Sequence, residues 1–270
     1  MSDRKSVLIT GASSGLGAAM AVRMLDAGWR VFGTSRKPAA PATAAAGVEW
    51  IAMDVCDDGS VERGLAQVFA ASPRLDALVC NAGFGIYGAF EETSLERARA
   101  QFETNVFGVL RVARPVVKHM RERGEGRLLF VGSLAGRAPM PFQSHYSATK
   151  AAIEAFVFGL ANEVEPFGLC VSLIEPGDID TAFNDVMDWG EETPGSPYFT
   201  RKKRCEQTIR ESFPKAPKPV VVADAVFRAL TARRPRLRYA VGNEARLVGL
   251  GKRLLSDRLN LKLIRDHFGI

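Results

Sequence analysis

The sequence has few cysteines and no long apolar run. Its four cysteines, Cys56, Cys80, Cys170 and Cys205, are far apart and form neither a CxxC pair nor a metal-ligand spacing, which indicates reduced thiols and no metal site. The first fifteen residues, MSDRKSVLITGASSG, lack the apolar stretch of a secretory signal, and no run approaches the ~18 apolar residues of a membrane span. We therefore expect a cytoplasmic protein that does not cross a membrane.

Charge of one sign is only modestly in excess, at a net +6. The denser basic patches, RKKR at 201–204 and the segment 233–238, do not alternate with aromatic residues as a platform for stacking bases would. A nucleic-acid site is therefore not the preferred interpretation of these patches. Binding of phosphate-bearing ligands or of anionic membranes remains open. Hydrophobic residues make up 47% of the 270 residues and no stretch reads as a linker, so we predict one folded domain over 1–270.

Short apolar runs alternate with longer segments of helical spacing. The runs lie at 6–10, 29–35, 48–55, 75–83, 126–133 and 169–177, and each is closed by Gly, Asp, Asn, Ser or Pro. Helical spacing is found at 15–27, 60–71, 95–121 and 146–166. Strands that are buried on both faces and alternate with helices predict an α/β fold, a Rossmann-type doubly wound parallel sheet flanked by helices.

The pattern changes after Thr181. Residues 182–215 begin with Gly, Pro, acidic and aromatic residues without period and continue as a loose helical stretch, which indicates a substrate lid or a plain surface excursion. Residues 243–268 alternate Leu, Ile and Val with Arg and Lys at helical spacing. We expect this basic helical extension to pack on the domain or on a partner subunit rather than on a membrane surface.

A glycine-rich turn joins the first strand to the first helix. VLITGASSGLGAAMAVRML carries Gly11, Gly15 and Gly17 in the spacing GxxxGxG. Glycines allow a tight turn and a close approach of the backbone to a pyrophosphate, while the helix N-terminus offers N–H groups and a positive dipole end. The turn therefore predicts a bound nucleotide.

The end of the second strand indicates which nucleotide. An acidic residue there would hydrogen-bond the adenosine ribose of NAD, whereas a 2′-phosphate is favoured by an arginine. This strand ends in VFGTSRK, with Arg36 and no acid. Together with Ser14 in the glycine turn, Arg36 predicts NADP(H); the alternative is an arginine that caps a surface turn.

The segment HYSATK, at 145–150, places a phenol and an ammonium on one helix face. Tyr146 and Lys150 are four residues apart, so the ammonium can lower the pKa of the phenol by proximity and make it a useful proton donor. Ser133 ends the preceding strand in FVGSLAG, where βαβ topology brings it beside the next helix start. Its hydroxyl could hold a carbonyl oxygen next to the phenol.

These motifs together resemble the short-chain dehydrogenase/reductase family. TGASSGLG, CNAG at 80–83, Asn105, Ser133, YSATK and PGDIDT at 176–181 occur in order and at family spacing, and the remainder is most similar to the hydroxysteroid and retinol dehydrogenase-like branch. The resemblance implies an oxidoreductase, a carbonyl reductase in one direction, that transfers a hydride between nicotinamide and a carbonyl or secondary alcohol carbon. Cys80 and Gly132 depart from the common residues at their positions without removing a group that the chemistry needs.

The resemblance also implies roles for individual residues. Tyr146 would be the general acid/base, Lys150 would lower its pKa and hold the nicotinamide ribose, Ser133 would position the substrate oxygen, and Asn105 would anchor a water. The residues implied in cofactor binding, in addition to Tyr146 and Lys150, are Gly11, Ser13, Ser14, Gly15, Leu16, Gly17, Arg36, Asp54, Val55, Asn81, Ala82, Gly83, Pro176, Gly177, Ile179 and Thr181.

The substrate and the partners are less well defined by the sequence. Aromatic residues at Phe84, Tyr87, Phe90, Phe142 and Phe183 favour an apolar substrate such as a steroid, a retinoid or another ketone or aldehyde. The resemblance implies a homo-oligomer formed through the helices at 95–121 and 146–166. Two alternatives remain: a nucleotide-sensing binding protein on the same scaffold, and an enzyme attached to a membrane surface by the C-terminal helix.

Overall fold

The computed structural model describes residues 4–37, 45–181, 187–190, 192–242, 248 and 255–270. Among them are the strands β1 (Ser6–Ile9), β2 (Arg30–Ser35), β3 (Val48–Ala52), β4 (Ala77–Cys80), β5 (Gly126–Val131), β6 (Leu169–Pro176) and β7 (Arg238–Val241). They form a parallel sheet in the order β3-β2-β1-β4-β5-β6-β7. The order reverses at β1, so β1 pairs with β2 on one side and β4 on the other, and the crevice between their carboxyl ends is the place where open α/β sheets bind ligands.

Helices cover both faces of this sheet. They are α1 (Gly15–Asp26), α2 (Asp58–Ala71), α3 (Leu95–Phe102), α4 (Gly108–Arg123), α5 (Ser144–Val164), α6 (Phe199–Ser212), α7 (Val220–Thr231) and α8 (Asp257–Phe268). One core contains apolar residues of α1 and α7, and the other contains apolar residues of α2, α4 and α5. All four residues of β1 and all four of β4 are buried, which is why these strands read as continuous apolar runs.

The six strands expected from the sequence are confirmed, and the parallel, doubly wound α/β fold with them. The seventh strand, β7, was missed because its four residues, RYAV, are partly exposed at the sheet edge and follow an Arg- and Pro-rich segment. The helix expected over 95–121 is interrupted: a π-helical turn at Glu103–Phe107 separates α3 from α4. Helical spacing alone did not predict this interruption.

The C-terminal helix packs against α6. Phe268 is buried in a small apolar cluster with Tyr87, Met187, Cys205 and Ile209. Leu259, Leu261 and Leu263 on the same helix are exposed. Of the expected extension 243–268, residues 243–247 and 249–254 lie outside the described part of the chain, as does the stretch 182–186 of the expected lid.

No described helix combines the length and the apolar character needed to cross a bilayer.

Candidate functional site

The glycine turn between β1 and α1 forms a cradle in which side chains do not fit. Gly11 and Gly15 have φ angles of +64° and +53°, which favour glycine. A Cβ on Gly17 would lie 2.1 Å from the carbonyl oxygen of Gly11 and 2.8 Å from Nδ2 of Asn81. The backbone therefore passes close to the first turn of α1, where N–H groups are open to an anion.

Thr10 and Asn81 hold this turn against the neighbouring strand. The Nδ2 group of Asn81 donates to the carbonyl oxygens of Thr10 and Gly11, at 3.0 and 3.2 Å. In return, the buried Thr10 hydroxyl accepts from the backbone N–H groups of Asn81 and Ala82, at 2.9 and 3.1 Å. Sequence reasoning assigned Asn81 to the site but missed Thr10, although Thr10 directly precedes Gly11 in the same motif.

The far end of the cleft follows β2 and β3. Thr34, Ser35 and Arg36 line it at the end of β2, and Arg36 is exposed to the cleft. Asp54 and Val55 line it after β3, where the Asp54 carboxylate accepts from the backbone N–H of Cys56 at 2.9 Å. Among the described residues that follow β2, a cation is thus present and an acid is not.

The opposite end of the cleft carries the phenol, the ammonium and a hydroxyl. Tyr146 and Lys150 lie one turn apart on α5, both more than nine-tenths buried, and the Lys150 Nζ lies 5.7 Å from the centre of the Tyr146 ring. The Lys150 ammonium donates to the carbonyl oxygen of Val131 at 2.9 Å. Ser133, two residues after β5, hydrogen-bonds the Tyr146 side chain. The helix start and the strand end therefore meet as expected.

Burial controls the acidity of both groups. It raises the pKa of Tyr146 to about 12, while the hydrogen bond from Ser133 acts in the opposite direction. It lowers the pKa of Lys150 to about 8, because the charged form is disfavoured away from water. The expected lowering of the phenol pKa by the nearby ammonium is not found; burial outweighs it, and the lysine is directed at the Val131 carbonyl.

Asn105 lies in the π-helical turn and holds the loop after β4. Its Oδ1 accepts from the N–H of Phe84 at 3.0 Å, and its Nδ2 donates to the Phe84 carbonyl at 2.8 Å and to the Thr149 hydroxyl at 3.2 Å. A Cβ on Gly83 would lie 2.9 Å from Asn105 Oδ1. Asn105 thus connects the loop at 83–84 to α5, one residue before Lys150.

These elements enclose a cleft of about 610 Å³. Of the residues that the sequence assigned to the site, those that line it are Gly11, Ser13, Ser14, Gly15, Leu16, Arg36, Asp54, Val55, Asn81, Ala82, Gly83, Ser133, Tyr146, Lys150, Pro176, Gly177, Ile179 and Thr181. Gly17 and Asn105 do not line the cleft: Gly17 supports the turn from below, and Asn105 lies behind the loop at 83–84.

Apolar side chains line the same cleft as Tyr146, and we call them the apolar wall. They are Met140, Met187, Ile209, Phe213 and Phe268, which sequence reasoning did not assign because they come from distant parts of the chain. Among the aromatic residues expected in the pocket, Phe84 lines the cleft, Tyr87 is fully buried, Phe90 is 73% exposed and stacks on His145, and Phe142 packs beside Tyr87. Phe183 lies outside the described residues.

Within the described ranges, no group of three or more His, Cys, Asp or Glu side chains is arranged to hold a metal ion.

Comparison with known proteins places the chain in a family. The sequence model of the family described as "short chain dehydrogenase" matches residues 5–191, which is more than half of the chain. The chain belongs to the short-chain dehydrogenase/reductase family. The match spans the glycine turn, the loop after β4, Ser133, the Tyr146 and Lys150 pair and the segment 176–181.

Two curated relatives from this family extend the likeness to the rest of the chain. A 3-ketodihydrosphingosine reductase of Bacteroides thetaiotaomicron is 33% identical over 98% of this chain and 98% of that one. The human 17-beta-hydroxysteroid dehydrogenase type 1 is 34% identical over 87% of this chain and 77% of that one. The second relative agrees with the hydroxysteroid dehydrogenase-like branch that the sequence predicted.

Solved structures from the same family have the same fold. A short-chain dehydrogenase from Streptomyces avermitilis is 37% identical, with a TM-score of 0.84 over 97% of this chain and 96% of that one. A 3-ketoacyl-(acyl-carrier-protein) reductase from Brucella melitensis, solved in complex with NADH, is 26% identical, with a TM-score of 0.75 over 89% of this chain and 98% of that one. The structural likeness therefore extends over most of this chain.

Proposed function

We propose that the protein is an NADP(H)-dependent oxidoreductase that interconverts a carbonyl and a secondary alcohol on an apolar substrate. One observation carries this proposal: Tyr146, Ser133 and Lys150 converge at one end of a continuous cleft, and Arg36 lies at the other end where no acid follows β2. A proton donor and a site for a 2′-phosphate are therefore joined by a phosphate cradle.

The residues of the cleft fit a dinucleotide. The glycine turn leaves room for a pyrophosphate at the N-terminus of α1, and Arg36 offers a planar cation to a 2′-phosphate. Asp54 and Val55 would border the adenine, and Ile179 and Thr181 the carboxamide. Bound nicotinamide supplies the hydride donor or acceptor.

The catalytic step depends on moving a proton at the substrate oxygen. Tyr146 donates its phenolic proton to that oxygen during reduction, and Ser133 donates a second hydrogen bond that stabilises the developing negative charge. The Lys150 ammonium, one turn away on α5, would hold the nicotinamide ribose beside the phenol. Asn105 positions the loop at 83–84 and the start of α5, because it contacts both.

The apolar wall supports a bulky apolar substrate. Met140, Met187, Ile209, Phe213 and Phe268 face the space beside Tyr146. The names of the two curated relatives also refer to a keto or a hydroxy group as the reacting group. Because three of these residues, Met187, Ile209 and Phe213, belong to the segment 182–215, we also propose that this segment is a substrate lid.

Exposed aromatic residues support a homo-oligomer. Phe107 precedes α4 and Phe156 lies on α5, and they are 51% and 46% exposed. An apolar surface on the two long helices fits a contact with a second copy of the chain.

The test is consumption of NADPH by the purified protein with steroid ketones, retinal, long-chain ketones and short aldehydes. We expect turnover by the wild type and a loss of at least about a thousandfold in kcat for Tyr146→Phe, with NADPH affinity retained. Arg36→Ala should raise the KM for NADPH roughly tenfold or more and change that for NADH little. Retained turnover by Tyr146→Phe would contradict the catalytic assignment, and tight NADPH binding without turnover of any substrate would favour a nucleotide sensor.

A further inference from the structure

Asp178 differs from Asp180, the other acidic residue of the strand-end segment 176–181. It is half-buried, it lines the same cleft as Tyr146, and it forms no ion pair with any described residue. Asp180, two residues later, forms an ion pair with Lys218 and does not line the cleft. The Asp180 carboxylate is thus paired with a lysine, whereas the Asp178 carboxylate lines the cleft.

The Asp178 carboxylate is held in place by α6. The Ser212 hydroxyl donates to its Oδ2 at 3.0 Å, and Ser212 lines the cleft beside Ile209 and Phe213. The hydroxyl donor orients the carboxylate and carries no charge of its own. Its remaining acceptor sites are available to a cationic donor in the cleft.

A second cavity of about 460 Å³ adjoins the cleft at this point. Gly177, Asp178, Thr208 and Ser212 line both cavities, so they form the boundary between the two. The second cavity is also lined by the charged residues Glu211 and Lys215, whereas Met140, Met187 and Phe213 line only the first. A polar head group can therefore lie at Asp178 while an apolar tail lies against the methionines and phenylalanines.

Asp178 also acts on the phenol. Its negative charge contributes to the raised pKa of Tyr146, because an anion nearby disfavours the phenolate. A cation bound between the two groups would remove this effect. The Asp178 carboxylate therefore makes Tyr146 a weaker proton donor towards a neutral ketone. A ketone that carries a positive charge would offset this effect and bind to the carboxylate.

We propose that Asp178 is a specificity-determining residue that binds the ammonium group of an α-amino ketone with a long apolar chain. This rests on the proposed function, since it names the substrate class of the same site. The ammonium lies next to the reacting carbonyl, so a single pose places the oxygen at Tyr146 and Ser133 and the nitrogen at the Asp178 carboxylate.

Two substrates of matched size test the proposal: dodecyl aminomethyl ketone and dodecyl methyl ketone, with NADPH. For the wild type we expect kcat/KM to be roughly tenfold or more higher for the amino ketone, mostly through KM. In Asp178→Asn the ratio of the two kcat/KM values should fall to near one. Asp180→Asn, which removes an acid of the same segment outside the cleft, should keep the wild-type ratio.

Calorimetric measurement of ketone binding tests the role of Asp178 separately from the proposed oxidoreductase activity. Binding of dodecyl aminomethyl ketone and of dodecyl methyl ketone to the NADPH complex of Tyr146→Phe requires no turnover. We expect Tyr146→Phe to bind the amino ketone more tightly than the methyl ketone, and the double variant that also carries Asp178→Asn to lose this preference. That result supports the role of Asp178 even if the wild type reduces neither ketone. Equal binding of the two ketones, or a preference that Asp178→Asn leaves intact, overturns it even if both are reduced.

Discussion

At the scale of single residues, the protein places an ionisable group where its charge is unfavourable. Lys150 is 7% exposed, and burial lowers its pKa from 10.5 to about 8. Its hydrogen bond to the Val131 carbonyl compensates only part of the lost hydration. The residue that the proposed chemistry needs is therefore a cost to the stability of the fold.

Lys150→Met should therefore stabilise the protein while abolishing its activity. Because the folded-state pKa is lower than the unfolded one, the unfolded chain binds more protons between pH 8 and pH 10.5, and wild-type stability rises through that window. The gain from Lys150→Met is thus largest below pH 8, up to about 3 kcal/mol, and disappears above pH 10.5.

The measurement is urea unfolding of both proteins across this pH range. The exposed Lys118→Met on α4 provides the baseline for removing a lysine. A difference between wild type and Lys150→Met that does not change with pH would show that burial of the ammonium is not its origin.

Residue identity alone predicted much of this site. Eighteen positions expected to bind the cofactor came from short motifs with a fixed order, and all of them except Gly17 line the cleft. Thr10 and Asp178 were not predicted, because a threonine that supports a turn and an acid at a strand end have no distinctive sequence pattern. Which wall a side chain lines is decided by packing between distant segments.

At the scale of elements, glycine has opposite roles in two places. The turn between β1 and α1 requires it at position 17, whereas the long helix α5 does not require it at position 159. A Cβ on Gly17 would approach the Gly11 carbonyl oxygen to 2.1 Å, whereas a Cβ on Gly159 of α5 meets no atom within 4 Å. Gly159 is exposed and in a helix, where glycine has a high conformational entropy in the unfolded chain.

We therefore expect opposite effects of the same substitution. Gly17→Ala should lower the free energy of unfolding by about 1–3 kcal/mol and weaken NADPH binding, because the turn must shift to admit a methyl group. Gly159→Ala should raise the free energy of unfolding by about 0.5–1 kcal/mol. Chemical denaturation and NADPH titration of the two variants test this; equal effects would mean that the close approach at Gly17 is not maintained.

The sequence predicted the elements unequally. Long buried strands were found because both of their faces are apolar, as in β1 and β4. The short edge strand β7 lacks that pattern. The π-helical turn at Glu103–Phe107 could not be predicted from helical spacing, because a single extra residue changes the spacing of the apolar residues too little.

At the scale of the whole molecule, an ion network connects the last strand to the middle of the chain. The Arg238 guanidinium on β7 pairs with Glu175 on β6 and Glu154 on α5, and it lies 5.0 Å from the ring centre of Phe158. Glu175 is fully buried, and Arg137 approaches it to 3.6 Å. The network joins the edge of the sheet to the helix that carries Tyr146 and Lys150.

Removing the central cation should be costly. Arg238→Ala leaves the Glu175 carboxylate buried with a weaker partner, so we expect a loss of about 3 kcal/mol in the free energy of unfolding. Lys218→Ala removes the exposed ion pair with Asp180, where the lysine side chain is 73% exposed, and should cost less than about 1 kcal/mol. Urea unfolding of both variants measures the difference, and similar losses would contradict the view that burial of Glu175 makes this network important.

The site as a whole uses residues from Gly11 to Phe268. The sequence predicted most of the part up to Thr181 because its motifs occur in one order along the strand ends, but it did not predict Met140 or Asp178. From Met187 onward the sequence predicted only a lid over 182–215 and a C-terminal helical extension over 243–268, without their contacts. Side chains from α6, α8 and the loop at 187–190 meet through tertiary packing alone.

The π-helical turn has a consequence for insertions and deletions. Each residue of a helix turns the chain by roughly 100°, and the π-helical turn contains one residue more than an α-helical turn would need. Deleting one residue from Glu103–Phe107 would regularise the helix but rotate Asn105 away from Phe84 and Thr149. The number of residues between α3 and α4 is thus set by the hydrogen bonds of Asn105 to Phe84 and Thr149. We expect a single-residue deletion there to damage the site more than most substitutions do.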